Sequence, residues 1–157
     1  MAEMTSAQQA LLDRVLEHMV RAGHAATPQR RRVAQELLAT PQALTARQLA
    51  ESLSRQGERV GVMTVYRTLG LLAEIGAAYP LHDHQSEGSE AHYAFCSDRH
   101  HHHLICSRCW GVWEVEGCGL SEAQARVGDR LGFQVQSHSL DYYGLCAHCA
   151  QAPAGRV

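Results

Sequence analysis

Cys96-Ser-Asp-Arg-His100-His-His-His103-Leu-Ile-Cys106-Ser-Arg-Cys109-Trp-Gly-Val-Trp-Glu114-Val-Glu-Gly-Cys118 is the stretch on which the reading of the chain turns. Four cysteines and four consecutive histidines stand in a space too short for a domain, and a second pair, Cys146-Ala-His-Cys149, follows near the C-terminus. Each C-x-x-C can present two thiolates from one tight turn, and two such turns complete the tetrahedral four-sulfur shell that zinc prefers. Cys106, Cys109, Cys146 and Cys149 are therefore assigned to one closed structural zinc site. A redox pair needs no partner pair, and a disulfide framework belongs to secreted chains, whereas this N-terminus carries no signal-peptide pattern. The histidines run straight into Leu104-Ile105-Cys106, as a strand entering a zinc knuckle would. On a strand, alternate side chains face opposite ways. His100 and His102 then share one side and His101 and His103 the other, so one run can serve two metal sites. A closed four-sulfur site does not use these histidines, which suits them to a more open, exchangeable site, the arrangement of a sensor more than of a catalyst.

The chain has 157 residues, room for one ordinary domain or two small ones. Small halves bury little apolar surface, which makes a zinc staple in one of them physically sensible. The expected division is 1–96, then 97–150 carrying the metal-binding motifs, then a disordered tail at 151–157. No apolar run approaches the length of a membrane span, so a cytoplasmic chain with reduced thiols is expected, without a membrane partner. The net charge of −2 conceals an asymmetry: residues 1–81 hold nine Arg against seven Asp and Glu, and residues 82–157 hold five against nine. No lysine occurs, so every permanent positive side chain is arginine. Overall charge does not announce a nucleic-acid binder; local arrangement must carry that reading.

The first helix is predicted to start at Ser6, with Gln9 completing a capping box, and to bury Leu11, Leu12, Val15, Leu16, Met19 and Val20 before Gly23. Thr27-Pro28 opens a second helix, with Val33, Leu37 and Leu38 inward. Thr45 with Gln48 caps a third, and a fourth runs from about Val62 to Ile75, burying Val65, Leu69 and Leu72 and stopping at Gly76. Short helices joined by tight turns read as a helix-turn-helix. The β-prone pieces around Tyr79 and Tyr93 fit a two-stranded hairpin, which would form its wing. Arg67 falls opposite the apolar stripe of the fourth helix and Thr64 and Tyr66 flank it, residue types that contact phosphates and base edges. Arg30, Arg31 and Arg32 add charge at the start of the second helix, although an arginine triplet alone is usually a solvated face. Beyond Arg99, strands are expected at about 100–105, 111–116 and 133–142, with a helix from Ser121, capped with Gln124, to Gly132.

Thr27-Pro-Gln-Arg30, Thr64-Val-Tyr-Arg-Thr-Leu69, His100-His-His-His-Leu-Ile-Cys-x-x-Cys109, Glu114, His138-Ser139 and Cys146-x-x-Cys149 together resemble the ferric uptake regulator family of bacterial metal sensors over nearly the whole chain. The resemblance implies an α+β fold: an N-terminal winged helix-turn-helix domain, a hinge, and a small C-terminal α/β dimerisation domain stapled by the four-cysteine zinc site. It also implies a metal-loaded homodimer that binds palindromic double-stranded operator DNA and represses. By position, Tyr66 matches a base-contacting tyrosine, and Arg67 and Arg30 match phosphate-contacting arginines. The four cysteines match structural zinc ligands. At the hinge, His101 and His103 match regulatory-metal ligands, Cys96 and His82 stand where the zinc-sensing branch places its cysteine and a further ligand, and Glu114 aligns with a ligand of some members. His100, His102 and His138 match a second site in the dimerisation domain, whose usual glutamate falls on Ser121, with Glu122 beside it.

Iron-sensing members use imidazole and carboxylate ligands at the hinge, whereas a thiolate from Cys96 is softer and favours zinc. The resemblance therefore points to the zinc-uptake branch and to control of zinc uptake genes, with iron, manganese or peroxide sensing as the alternatives. An enzymatic reading as a zinc deaminase or hydrolase lacks its motifs, neither H-x-E with P-C-x-x-C nor H-E-x-x-H being present. Cys118, His18, His24, His84, His92 and His148 are read as ordinary structural residues, with His84 a rival to His82.

Overall fold

Thr5, Thr27 and Thr45 each turn a side-chain oxygen back onto the backbone N–H three residues on, and these caps start the first three helices of the computed structural model. The structure describes residues 4–82, 90–96, 101–117, 121–136 and 138–151, with the side chains of 121–125 left aside. Helices α1 (Ser6–Arg21), α2 (Pro28–Ala39), α3 (Ala46–Arg55) and α4 (Val62–Glu74) are followed by strands β2 (Ala78–Leu81) and β3 (His92–Phe95), and a two-residue β1 (Leu44–Thr45) precedes α3. The α1 cap is one residue earlier than the sequence suggested. Thr5 accepts from the Gln8 N–H at 3.2 Å and its own N–H donates to Gln8 Oε1 at 3.0 Å, while Gln9 bonds Asp13 instead. Val20 is 56% exposed, so the buried stripe of α1 is Leu12, Val15, Leu16 and Met19.

The chain divides into two compact units, Met1–Asp98 and Arg99–Val157. In the first, Val33, Leu37, Leu49, Leu53, Val65, Leu69 and Leu72 are all fully buried and form one core with the α1 stripe. Burying each such aliphatic side chain stabilises by about 1.5–3 kcal/mol, so the core holds α4 with one face fixed inward. The wing is a three-stranded antiparallel sheet in the order β1-β3-β2, one strand more than the expected hairpin. It is registered Tyr79 opposite Ala94 and Leu44 opposite Tyr93.

The second unit is built on β4 (His101–Cys106), central in a sheet of order β5-β4-β6. Strand β5 (Val112–Glu116) pairs antiparallel, with His103 opposite Glu114. Strand β6 (Asp141–Gly144) pairs parallel, with His103 opposite Asp141 and Cys106 opposite Gly144. Helix α5 (Ser121–Leu131) lies between β5 and β6 in the chain, and α6 (Ala147–Gln151), unforeseen in the sequence, carries Cys149. The strand expected over 133–142 is corrected to Asp141–Gly144. Among the described residues, 133–136 and 138–140 form no strand. Gly132 takes a positive φ of 63°, and the Phe133 N–H closes back on the Gly128 carbonyl at 2.9 Å, which ties this segment to the end of α5.

Candidate functional site

The first C-x-x-C lies where β4 ends and turns into β5. Trp110 takes a left-handed φ of 57° and donates its N–H to the Cys106 carbonyl at 2.9 Å, while the Cys106 N–H bonds the Gly111 carbonyl at 2.9 Å. A Cβ at Gly111 would meet the far end of the Trp113 ring at 2.7 Å, so a larger residue there would push that exposed ring aside. The second pair sits at the start of α6. The Cys146 N–H reaches Cys106 Sγ and the Cys149 N–H reaches Cys146 Sγ, both at 3.4 Å, and Arg108 donates to the Cys149 carbonyl. The four Sγ atoms all lie within 4.8 Å of one another, with Cys109 and Cys146 at 3.9 Å. Four sulfurs about 2.3 Å from a tetrahedral zinc stand about 3.8 Å apart, so this donor set fits that ion.

Crowding four thiols without a cation splits their acidities. Burial alone would push the Cys106 thiol up, but the N–H groups of Cys146, Cys109 and Arg108 aimed at its sulfur outweigh that and bring it to about 6. Cys149 has burial and three neighbouring sulfurs against it and is pushed up to about 12. For Cys109 the Gly111 N–H and the Cys149 sulfur work downward, yet burial and the sulfurs of Cys106 and Cys146 win and the thiol moves up. Cys106 thus carries negative charge readily, whereas Cys109 and Cys149 resist it and take it on against a cation.

The alternation of β4 separates the histidines as its geometry requires. His101 and His103 place their Nε2 atoms 3.1 Å apart, with ring planes at 88°. Glu114 Oε1 lies 3.5 Å from His101 Nε2, delivered by the neighbouring strand. Two imidazole nitrogens about 2.0–2.1 Å from one tetrahedral zinc would be separated by roughly 3.3 Å, close to the spacing seen. Asp141, which no motif in the sequence singled out, lies 3.1 Å from His103 Nδ1. On the opposite face His102 is buried at 4% exposure, and its ring lies 5.2 Å from that of His138. His100, Cys118, His84 and the side chain of Glu122 fall outside the described residues. Cys96 and His82 belong to the first unit: Cys96 is a half-buried thiol just past β3, its N–H bonded to the Ala77 carbonyl at 3.1 Å, and His82 is exposed at the end of β2.

On α4, Thr64 and Tyr66 are half-buried and Arg67 is exposed. The Tyr66 hydroxyl donates to Glu90, whose other carboxylate oxygen lies 3.6 Å from Arg47 Nε. Neither Arg47, on α3, nor Glu90, just before β3, was marked by the sequence, because only the fold brings the two together beside Tyr66. The arginine triplet is not one free basic patch. Arg32 is bound to Glu58 at 2.7 Å, Gln35 at 2.7 Å and Gln56 at 3.1 Å, and Arg31 pairs with Asp13 at 3.1 Å. Arg30 bonds the Ala25 carbonyl at 2.6 Å, beside the α2 cap.

The profile of the ferric uptake regulator family matches residues 21–143. The chain belongs to the ferric uptake regulator family. Its members are transcriptional regulators, so the chain is a metal-responsive regulator and not an enzyme, and the deaminase alternative falls. A zinc uptake regulation protein of Mycobacterium tuberculosis is 35% identical over 131 residues, covering 83% of this chain and 98% of that protein. A ferric uptake regulation protein of Legionella pneumophila is 32% identical over 106 residues, covering 68% of this chain and 76% of that one. Among solved structures, a zinc uptake regulator complexed with zinc and DNA superposes with a TM-score of 0.69 at 25% identity, covering 94% of this chain and 97% of that one. The family's α+β architecture is thus the one seen here. No helix among the described residues is long and apolar enough to cross a membrane.

Proposed function

We propose that the chain is a zinc-responsive repressor that binds palindromic operator DNA as a metal-loaded homodimer in the cytoplasm and controls zinc uptake genes. The observation that carries this reading is the presence of two donor sets of different character in one small unit. One is a closed four-thiol cluster; the other is a pair of imidazole Nε2 atoms 3.1 Å apart with a carboxylate beside them. A closed shell of four thiolates suits a permanent, structural ion, whereas an incomplete shell suits an exchangeable one. The likeness to the mycobacterial zinc uptake regulation protein supports zinc as the sensed metal.

Cys106, Cys109, Cys146 and Cys149 hold the structural zinc in this reading, and His101 and His103 begin the sensing shell. Cys96 lies five residues before His101 in the sequence, within reach of it along the chain, and adds the thiolate that favours zinc over harder metals. His82 and Glu114 complete the set of hinge ligands, and His100, His102, His138 and Glu122 form the second site. Because these hinge ligands come from both units, a metal held by all of them converts the joint between the units into one fixed geometry. Population then shifts toward the DNA-competent state in proportion to the metal's preference for that state. On the DNA side, Tyr66 and Thr64 face base edges while Arg67 and Arg30 take phosphates, with two α4 helices set for two half-sites. Glu114, an oxygen donor 3.5 Å from His101, favours the second reading, in which the sensed metal is iron or manganese. Operator binding measured across buffered free zinc, iron(II) and manganese(II) separates the two. The zinc reading expects a response at the lowest free concentration for zinc, and a response to iron or manganese at concentrations where zinc is silent would replace it.

A further inference from the structure

The acid that meets His103 is not placed as a ligand. Asp141 Oδ1 lies 3.1 Å from Nδ1 of His103, whereas the nitrogen that converges on His101 is Nε2. Both side chains are largely withdrawn from solvent, His103 6% and Asp141 20% exposed. Both are also fixed from the backbone: β6 runs parallel to β4 with His103 and Asp141 as register partners, and the His103 N–H bonds the carbonyl of the preceding Leu140 at 3.3 Å. An ionised carboxylate can only accept hydrogen bonds, so the proton of this contact belongs to Nδ1. A neutral imidazole carrying its proton on Nδ1 has its lone pair on Nε2, directed at the position between the two histidines where a metal would sit.

We propose that Asp141 is the positioning residue of the sensing centre: it holds His103 in the Nδ1–H tautomer and fixes its ring, so that Nε2 is presented to the metal. The proposal rests on the reading of His101 and His103 as metal ligands. It also ties the two centres together. β6 carries Asp141 at its first residue and runs through Gly144 to Cys146, so the strand that orients the open site is anchored by a thiol of the closed one. Zinc in the four-sulfur cluster then has a second consequence beyond folding. It holds the register of β6, and with it the orientation of His103.

The test uses the full chain with its tightly held zinc in place. Two-bond nitrogen–proton spectra of histidine-labelled protein, with the exchangeable metal removed, report the tautomer of each ring, and His103→Gln assigns the His103 signals. Exchangeable zinc affinity is measured by competition with a chromogenic chelator, and tightly held zinc per chain is counted in parallel. Asp141→Ala should abolish the Nδ1–H signature of His103 and weaken exchangeable zinc about 10–100-fold, the usual effect of losing an outer-shell partner. Tightly held zinc should stay unchanged, and Asp141→Glu should recover at least part of both losses. If Asp141→Ala disturbs the fold, Asp141→Asn keeps the shape without the charge and should give a smaller loss in the same direction. An unchanged tautomer and unchanged affinity in a folded Asp141 variant overturn the positioning role while leaving the ligand reading intact. Unchanged exchangeable zinc in His103→Gln itself overturns the ligand reading, and the proposal with it.

Discussion

Replacing Cys149 with serine removes one of four sulfurs from a cluster on which the second unit depends out of proportion to its size. Among the described residues of that unit, the buried apolar side chains are Ile105, Cys106 and Cys149. Full burial of an isoleucine stabilises by about 1.5–3 kcal/mol. Structural zinc in comparable small modules contributes about 10–16 kcal/mol of apparent folding free energy. The metal cross-link therefore outweighs this apolar burial several-fold, and it joins the β4–β5 turn to α6 across 37 residues of chain between Cys109 and Cys146. Cys149→Ser should leave the chain without its tightly held zinc and the second unit without a cooperative melting transition. The first unit has its own core from Leu12 to Leu72 and should keep its helical circular-dichroism signal. Zinc per chain by elemental analysis, read beside thermal denaturation, decides the matter, with Cys118→Ser as a control expected to leave both unchanged. A Cys149→Ser protein with full zinc content and an unaltered melting profile would refute the reasoning.

On the DNA side, Tyr66→Ala should cost about 1–3 kcal/mol of discrimination between operator and non-operator sequence, and Arg67→Ala should weaken both and lower the salt slope by roughly one. Titrations at several salt concentrations check this, and unchanged binding by both variants would remove α4 from the interface. Arg32→Ala, by contrast, should lower the melting temperature of the first unit with little change in salt slope, because its guanidinium is already bound to Glu58, Gln35 and Gln56. Reloading zinc into the chelator-stripped chain at pH 7 should release about one proton per cysteine, because a unit that has lost its metal cross-link leaves its thiols near their ordinary value of about 8.5. Zinc affinity should accordingly fall as pH falls, since protons compete with the metal for the thiolates. An indicator dye reads the release, and markedly less than one proton per cysteine would contradict it.

Much of this was local enough to be written in the sequence. The caps at Thr27 and Thr45, the stripe Val65-Leu69-Leu72 and the two C-x-x-C pairs each depend on spacings of a few residues, and the strand alternation of His101 to His103 follows from a period of two. Where two local signals compete, spacing cannot decide. Thr5-x-x-Gln8 and Ser6-x-x-Gln9 both satisfy the capping pattern, and only the first is used. Phe133 and Val135 alternate as strand residues do, yet a strand exists only where a partner accepts its hydrogen bonds, and β4 takes Asp141–Gly144 instead. Asp141 and Glu90 escaped notice for the same reason. Their partners, His103 and Tyr66, lie 38 and 24 residues away, and nothing in the local sequence marks such a pairing.

In the proposed function, zinc bound through Cys96, His101 and His103 switches operator binding, separately from the zinc held by four sulfurs. Operator binding by the wild type and by Cys96→Ser, followed across buffered free zinc with total zinc counted per chain, tests this most directly. The wild type should gain affinity as free zinc rises. Cys96→Ser should keep its tightly held zinc and lose that response, since the four-sulfur cluster does not include Cys96. A Cys96→Ser protein that follows the wild-type zinc response would contradict the account.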